Sequence, residues 1–237
     1  MASLEQLLVL QEHDTTADQL RHRRATLPER DELEQLRREL GTIATEEATT
    51  QAERDEVARA QKRLEDEVAT VEDKAATVHA TLYGGSVTSP RELQALQEEE
   101  AALKRHQSTI EDKVIEQMEL AVPLDERLAA LDERRAHVDA EIERVTALLA
   151  AAETALDGEL DLVVAQREAA AASVPADLLD RYEQLRLELG GIAVARLVGT
   201  NCGGCHLTLS AVELDRIRHE PGDAIVLCEE CGRLLVH

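Results

Sequence analysis

Residues 82–94 read LYGGSVTSPRELQ. The glycine pair favours a left-handed backbone that ends a helix, because glycine has no Cβ to clash there. Ser89, Pro90 and Glu92 have the pattern of a capping box, in which serine caps the helix, proline takes its first position and glutamate bonds back to the cap. The sequence therefore predicts that one helix ends near the glycines and another begins at Pro90, with residues 83–90 as the turn.

Both flanks of this turn carry a heptad pattern of apolar side chains. The positions before the turn are Leu33, Leu36, Leu40, Ile43, Val57, Leu64, Val68, Val71, Ala75, Val78 and Leu82. The positions after it are Ile110, Val114, Ala121, Leu124, Leu128, Leu131, Val138, Ile142, Val145, Leu149, Ala152 and Leu156. Such a sustained seam is typical of a coiled coil. Since short loops join antiparallel neighbours, the sequence predicts an intramolecular antiparallel hairpin.

Polar residues and prolines interrupt this pattern. The polar seam positions are Glu47, Thr50, Arg54 and Gln61 in the first arm and Gln117 and Arg135 in the second. They leave the middle of the hairpin weakly specified. Pro123 is expected to kink or break the second arm. Residues 26–29, TLPE, form another capping-box pattern, so a first helix is expected to end near Arg24 and a second to begin there.

The segments at the two ends of the hairpin are expected to pack together. After the second arm, Pro175 precedes an amphipathic helix that a glycine pair at 190–191 ends. Its apolar residues are Leu178, Leu179, Tyr182, Leu185 and Leu189. The N-terminal segment carries Leu4, Leu7, Leu8 and Val9. Because a hairpin returns the chain to its starting end, these two apolar faces are predicted to meet at the base, beside the C-terminal region.

The region from residue 192 onward contains all four cysteines of the chain, in two CxxC pairs. Apolar runs at 192–198, 224–227 and 233–236 predict strands around them. A CxxC turn directs two sulfurs at one ion, and the glycines between the first two cysteines are expected to give that turn a positive φ. Two such turns make a tetrahedral sulfur cage that suits one structural Zn²⁺. The predicted ligands are Cys202, Cys205, Cys228 and Cys231.

Other interpretations of the cysteines are weaker. Iron can occupy the same four-sulfur cage. Two disulfides are disfavoured in a reducing cytosol, and a redox CxxC is disfavoured because no βαβ pattern surrounds it. Four cysteine ligands also leave no open position for water, which disfavours a catalytic zinc. His206 and His219 lie near the cysteines in sequence, where either can donate to a thiolate, although a surface position is favoured for both.

Composition narrows the function classes. The formal net charge is −23, aromatic residues make up 1% and charged residues 32%. Such a surface repels nucleic acid and anionic lipid. From residue 192 onward there are four arginines against six acidic residues, so a basic footprint is missing there too. The sequence shows no signal peptide and no apolar run of membrane-spanning length, which predicts a cytoplasmic protein without a membrane partner.

The stretches YGGSVTSPRELQALQEE and GTNCGGCHLTLS…IVLCEECGRLL resemble the bacterial C4-type zinc-ribbon family, which pairs a long N-terminal helical hairpin with a C-terminal zinc ribbon. The resemblance covers nearly the whole chain and implies zinc at the four cysteines. It also implies chaperone or adaptor roles, because some members in flagellated and secretion-competent bacteria bind the nitrogen-type sigma factor and export components. Nucleic-acid binding is a further property that the resemblance implies.

The fold class predicted is thus mainly α: a coiled-coil hairpin over residues 1–175, a connecting helix over 176–191 and a C4 zinc ribbon over 192–237. Loss of Cys228 is expected to unfold the ribbon and leave the hairpin helical, because metal ligation and the heptad seam are separate sources of stability. Oligomeric state stays open, since a long seam can pair within or between chains.

The function favoured by the sequence is a non-enzymatic, chaperone-like adaptor that binds proteins. The alternative is a nucleic-acid-associated factor that contacts DNA or RNA through the ribbon. An enzyme is disfavoured, since the sequence offers no nucleophile–base set, phosphate loop or open metal site. At the turn, Tyr83 either covers the last layer of the seam or forms an exposed anchor for a partner protein, whose identity the sequence does not give.

Overall fold

The computed structural model describes residues 2–221 and 224–237. The elements in these residues are α1 (Ala2–Ala25), α2 (Pro28–Tyr83), α3 (Pro90–Ala171), α4 (Ala176–Glu188), β1 (Val194–Val198), β2 (Asn201–Cys202), α5 (Ala211–His219), β3 (Val226–Leu227) and β4 (Leu234–Val236). Long helices thus precede a small strand-containing region, as the sequence predicts. Among the described helices, none carries an apolar stretch sufficient to cross a membrane.

The strands form one sheet in the order β2-β1-β4-β3. β1 and β4 are parallel, with Val194 opposite Leu234, and the other two pairings are antiparallel. The three apolar runs that predict strands contain β1, β3 and β4, whereas the two-residue β2 has no sequence signal of its own. The two faces of the central pair, β1 and β4, belong to different core clusters: Val194 and Leu234 to one, Ala195 and Leu235 to the other.

Residues 32–144 form one compact unit in which α2 and α3 pack side by side. Polar pairs between the helices show that they run antiparallel, because residue numbers rise along α2 as those of the partners fall along α3. The pairs are Glu39–Arg134 at 2.7 Å, Arg54–Asp125 at 2.7 Å and His79–Glu100 at 3.1 Å. Ile43 is fully buried and packs with Leu131 and Val138. The predicted antiparallel hairpin is confirmed, with α2 ending at Tyr83 and α3 beginning at Pro90.

The charged residues that interrupt the seam find partners across the hairpin. Glu47 approaches Arg135 at 3.5 Å, so two seam positions of opposite charge meet. Arg54 donates to Asp125 at 2.7 Å. Thr50 is buried, and its hydroxyl has no hydrogen-bond partner among the described residues. The middle of the hairpin is thus held partly by paired charges rather than by apolar layers.

Two local predictions are wrong in part. Pro123 lies inside α3, which continues to Ala171, so the break that was one of its two predicted effects does not occur. Proline removes only one backbone hydrogen bond, and the burial of the neighbouring Ala121 in the seam stabilises the helix on both sides. The hydroxyl of Thr26 donates to the carbonyl of His22 at 2.9 Å, so it closes α1 instead of capping α2. The predicted helix boundary itself is confirmed, because α1 ends at Ala25 and α2 begins at Pro28.

A second compact unit comprises residues 1–31 and 145–237. Its larger core contains Leu4, Leu7, Leu10, Val174, Leu178, Tyr182, Leu185, Ala193, Val194, Leu234 and Val236. The predicted packing of the N-terminal segment on α4 is confirmed, although Val9 is exposed and Leu10 is buried. Strand residues of β1 and β4 belong to the same core, which the sequence did not indicate. The limits at 175 and 191 stay predictions.

A buried ionic network joins α1, α3 and α4 in this unit. Asp14 is buried and accepts a hydrogen bond from the hydroxyl of Tyr182 at 2.8 Å and from Nε of Arg167 at 3.2 Å. Arg186 approaches the same carboxylate at 3.6 Å and also donates to Asp18 at 2.6 Å. Burial and the hydrogen bond to Asp14 raise the pKa of Tyr182, so the tyrosine stays protonated and keeps donating.

Candidate metal centre

The two CxxC segments fold into turns with the same backbone hydrogen bonds. The N–H of Cys202 donates to the carbonyl of Leu207 at 3.0 Å, and the N–H of His206 donates back to the carbonyl of Cys202 at 2.8 Å. In the second turn, the N–H of Cys228 donates to Arg233 and the N–H of Gly232 donates to Cys228, both at 2.8 Å. Each turn therefore reverses the chain directly after a strand and presents two sulfurs on one side.

The left-handed residue of each turn follows its second cysteine. It is His206 in the first turn, with φ 64°, and Gly232 in the second, with φ 72°. The sequence-based expectation that the glycines between the first two cysteines have positive φ is wrong. His206 is the one non-glycine residue with positive φ in the described part of the chain, which marks the first turn as the more strained of the two.

The glycines of the first turn are needed for close approach instead. A Cβ at Gly203 would lie 2.8 Å from the carbonyl oxygen of Arg196. A Cβ at Gly204 would lie 2.5 Å from Cδ of Arg233 and 3.1 Å from Cβ of Ala195. The first turn therefore packs directly on β1 and on the residue that follows the second turn, which brings the two cysteine pairs together.

The four predicted ligands do come together. Cys202, Cys205, Cys228 and Cys231 place their Sγ atoms within 4.8 Å of one another. The Sγ atoms of Cys202 and Cys231 are 3.9 Å apart, and those of Cys205 and Cys228 are also 3.9 Å apart. A tetrahedron with Zn–S bonds of about 2.3 Å has sulfur–sulfur edges of about 3.8 Å. The four sulfurs thus fit one zinc ion, which they would hold without a free coordination position.

The two thiols of the second cysteine pair differ in acidity. Burial raises the pKa of the Cys228 thiol to about 12. Burial acts in the same direction on Cys231, but hydrogen bonds from Arg233 and contacts with other cysteines lower its pKa to about 7. Four thiolates at this spacing repel one another, so all four are deprotonated only when a cation is bound.

Other polar residues near the centre have partners of their own. His206 is exposed, and Nδ1 of His219 donates to the carbonyl of Asp215 at 2.7 Å. Among the described hydrogen bonds, neither imidazole donates to a cysteine sulfur. Arg216 lies 3.9 Å from Glu213 and 3.7 Å from Glu229, so its charge is balanced within the ribbon. This arrangement matches the surface interpretation of these histidines.

Gln11 of α1 is a structural residue that the sequence did not reveal. Its Oε1 accepts hydrogen bonds from the N–H groups of Ala193 and Val194, both at 2.7 Å. Its Nε2 donates to the carbonyl of Val194 at 2.8 Å. The side chain thus pairs with the start of β1 as a neighbouring strand would. Its position four residues after Leu7 is the one signal that places it on the buried face of α1.

Replacing Gln11 with leucine should destabilise the base unit by about 2 kcal/mol, because backbone groups of β1 lose their partners while the side-chain volume is kept. Urea unfolding measures the loss of stability, and hydrogen exchange of the β1 amides shows where protection is lost. Glu12, exposed and next in sequence, provides the control: Glu12→Leu should leave the free energy of unfolding within about 0.5 kcal/mol of the parent. Equal effects of the two substitutions would show that Gln11 does not hold β1.

An antiparallel helical hairpin followed by a four-cysteine ribbon defines a class of zinc-binding hairpin proteins. The chain belongs to the CT398-like coiled-coil hairpin family, whose model matches residues 10–190. Residues 201–235 match the C4-type zinc ribbon domain. One structural zinc ion is the cofactor of such a ribbon, so the cofactor predicted from the sequence is confirmed.

Relatives and solved structures agree with this assignment. Protein Rv2229c of Mycobacterium tuberculosis is 29% identical over 243 residues, covering 100% of this chain and 96% of the relative. A Mycobacterium smegmatis structure has a TM-score of 0.88 at 23% identity and covers 100% of this chain and 97% of its own. CT398 from Chlamydia trachomatis has a TM-score of 0.71 at 20% identity, covering 99% and 97%. HP0958 from Helicobacter pylori has a TM-score of 0.53 at 17% identity, covering 99% and 96%. These structures share the fold.

Proposed function

We propose that the chain is a non-enzymatic adaptor of the cytoplasm that binds partner proteins through its hairpin tip. A general role in protein interaction fits the family, whose members combine a coiled-coil hairpin with a zinc ribbon. In this proposal the thiolates of Cys202, Cys205, Cys228 and Cys231 hold a purely structural zinc ion. Four protein ligands leave no position for a reacting water, which supports a structural role over a catalytic one.

The observation that carries the proposal is the exposure of Tyr83. Its side chain is 68% exposed, whereas its neighbour Leu82 is buried and closes the seam. Of the two roles that the sequence left open for this tyrosine, the burial of Leu82 beside it supports the role of exposed anchor. A large aromatic ring in solvent next to a turn has the chemistry of a binding anchor, because tyrosine contributes strongly to interfaces.

Neighbouring side chains hold this ring in place. The imidazole of His79 contacts the ring of Tyr83 in a tilted arrangement, with ring centroids 4.6 Å apart and an angle of 51° between the planes. His79 in turn contacts the carboxylate of Glu100 at 3.1 Å, and Lys104 donates to the same carboxylate at 2.7 Å. Hydrogen bonds from Lys104 and His79 lower the pKa of Glu100, so the carboxylate stays charged. An anchor that is ordered before binding loses less entropy in a complex.

Photo-crosslinking tests this function. A benzophenone amino acid is placed at Tyr83 and, as a matched control, at Leu162, whose side chain is also 68% exposed. Crosslinking in cells of the native host should yield a defined set of proteins from position 83 and a different, weaker background from position 162. The variant Tyr83→Ala should keep the melting temperature, because exposed substitutions change stability by about 0.5 kcal/mol or less.

The same set of products from both positions, or no product from position 83, would refute recognition at the tip. A second readout separates binding from folding. If Tyr83→Ala lowers the melting temperature by several degrees, the ring has a packing role. The proposal that Tyr83 is a binding anchor then fails, whatever the crosslinking experiment shows.

A further inference from the structure

Helix α3 exposes apolar side chains on a face that is not the seam. Ile115, Met118 and Val122 follow one another at steps of three and four residues, so they share one face of the helix. Their side chains are 52%, 52% and 55% exposed. In the same stretch, the seam residues Ile110 and Ala121 are buried. The three exposed residues, named the α3 stripe here, are apolar surface that the hairpin leaves in solvent.

The stripe continues into a shallow groove between the two helices. Val68 of α2 and Val114 of α3 line this groove beside Ile115, and its volume is about 400 Å³. Its walls also include the side chains of Glu65 and Glu111. A groove with an apolar floor and an apolar edge at helical spacing can receive the side chains of a further helix, as knobs enter holes in a coiled coil.

Acidic residues surround the stripe. Glu111, Glu119 and Glu126 each lie one helical turn from a stripe residue, and Glu65 faces the groove. Nearby basic side chains are engaged elsewhere, since Lys62 pairs with Asp66 and Arg54 with Asp125. Within the described residues, none of the four glutamates forms an ion pair. The border of the apolar surface therefore carries an excess of negative charge, although Lys62 lies one helical turn from Glu65.

We propose that the α3 stripe binds an amphipathic helix of a partner protein, whose apolar face is flanked by lysine or arginine. Stripe spacing selects a helix, because residues at i, i+3 and i+7 match the period of a helical partner. The glutamates select positive charge at its edges. A second copy of this chain is disfavoured as occupant, since it would bring the same acidic border against itself at a net charge of −23.

This surface deepens the proposed adaptor function and rests on it, because it names a chemical class of partner. The test uses the purified full chain and therefore fails or succeeds independently of the crosslinks at the tip. The probe is a fluorescent synthetic helix of about five turns, with leucines on one face and lysines on its flanks. One control peptide has the same composition with its leucines spread around the helix, and another replaces its lysines with glutamate. Fluorescence anisotropy measures binding.

Of the three peptides, only the basic amphipathic one is expected to bind. Its affinity should fall as the salt concentration rises from about 0.05 to about 0.5 M. Met118→Lys should weaken binding about tenfold or more, because it removes apolar contact and adds repulsion. Leu120→Lys is the matched control: Leu120 is 54% exposed in the same turn of α3 but points away from the stripe, so binding should not change. Glu119→Gln with Glu126→Gln should reduce the salt dependence.

Equal binding of all three peptides, equal loss in the Met118 and Leu120 variants, or no binding to the parent protein would overturn the proposal. Sedimentation equilibrium adds a further outcome. If the parent is a dimer that Met118→Lys dissociates, the stripe is an interface between two copies of this chain, and the proposed partner is wrong. Circular dichroism of each variant verifies that the hairpin remains folded, so that lost binding reports on the surface.

Discussion

Replacing Cys228 with serine should remove the zinc ion and, with it, amide protection in the ribbon, in α1 and in α4. Structural zinc contributes about 10–16 kcal/mol to small ribbon-like modules, which equals or exceeds the whole stability of a typical domain. Cys228 and Cys202 belong to one apolar cluster with Ala195 and Leu235 of the central strands. The opposite face of those strands packs on α1 and α4, so loss of the sheet also exposes Leu4, Leu7 and Leu10.

Hydrogen exchange resolved by mass spectrometry measures this effect segment by segment. Residues 32–144 should keep their protection, because they form a separate compact unit with its own seam. The control is Val212→Ser in the exposed part of α5, which should retain zinc and full protection. If α1 stays protected in the zinc-free protein, the base and the ribbon have independent stability, as the sequence alone suggested, and the shared core is energetically unimportant.

Replacing Asp14 with alanine should destabilise the base unit by about 3 kcal/mol, because it leaves two partly buried guanidinium groups without their common partner. Arg167 and Arg186 both contact Asp14, and Tyr182 donates to it. Each arginine keeps one other carboxylate, Glu183 or Asp18, which limits the loss. At about 2–4 °C per kcal/mol for a chain of this size, differential scanning calorimetry should show a clear fall in melting temperature.

Asp18 provides a matched comparison. It also bonds Arg186, at 2.6 Å, but its carboxylate is largely exposed. Asp18→Ala should therefore cost about 1 kcal/mol or less, as for other surface pairs. Equal losses for the two aspartates would mean that burial of Asp14 adds nothing and that the network is a set of ordinary surface contacts.

The sequence predicted the hairpin well because its information is local and repeated. Heptad steps set the seam, and the glycine pair with Pro90 set the turn. It also predicted which four cysteines meet, since CxxC spacing constrains a cage directly. These features depend on residues close together in the chain, where period and turn chemistry decide the structure.

Long-range features were not predictable in the same way. Gln11 pairs with Val194 across 183 positions, and no period in the sequence joins them. β1 and β4 pair in parallel and share a core with α1, and no turn pattern in the sequence marks such a pairing. The left-handed conformation of His206 was missed because glycine, not histidine, is the usual signal for it.

The core that joins Leu4 to Val236 affects how the chain is made. At about 5–20 residues per second, a ribosome adds β4 roughly 10–45 s after α1. Throughout that interval the apolar face of α1 has no completed docking site, whereas the seam of residues 32–144 closes as soon as α3 emerges. Residues 32–144 can therefore fold before the unit that joins the two ends of the chain. During synthesis, α1 is the segment of this protein most open to premature contacts and to chaperones that bind nascent chains.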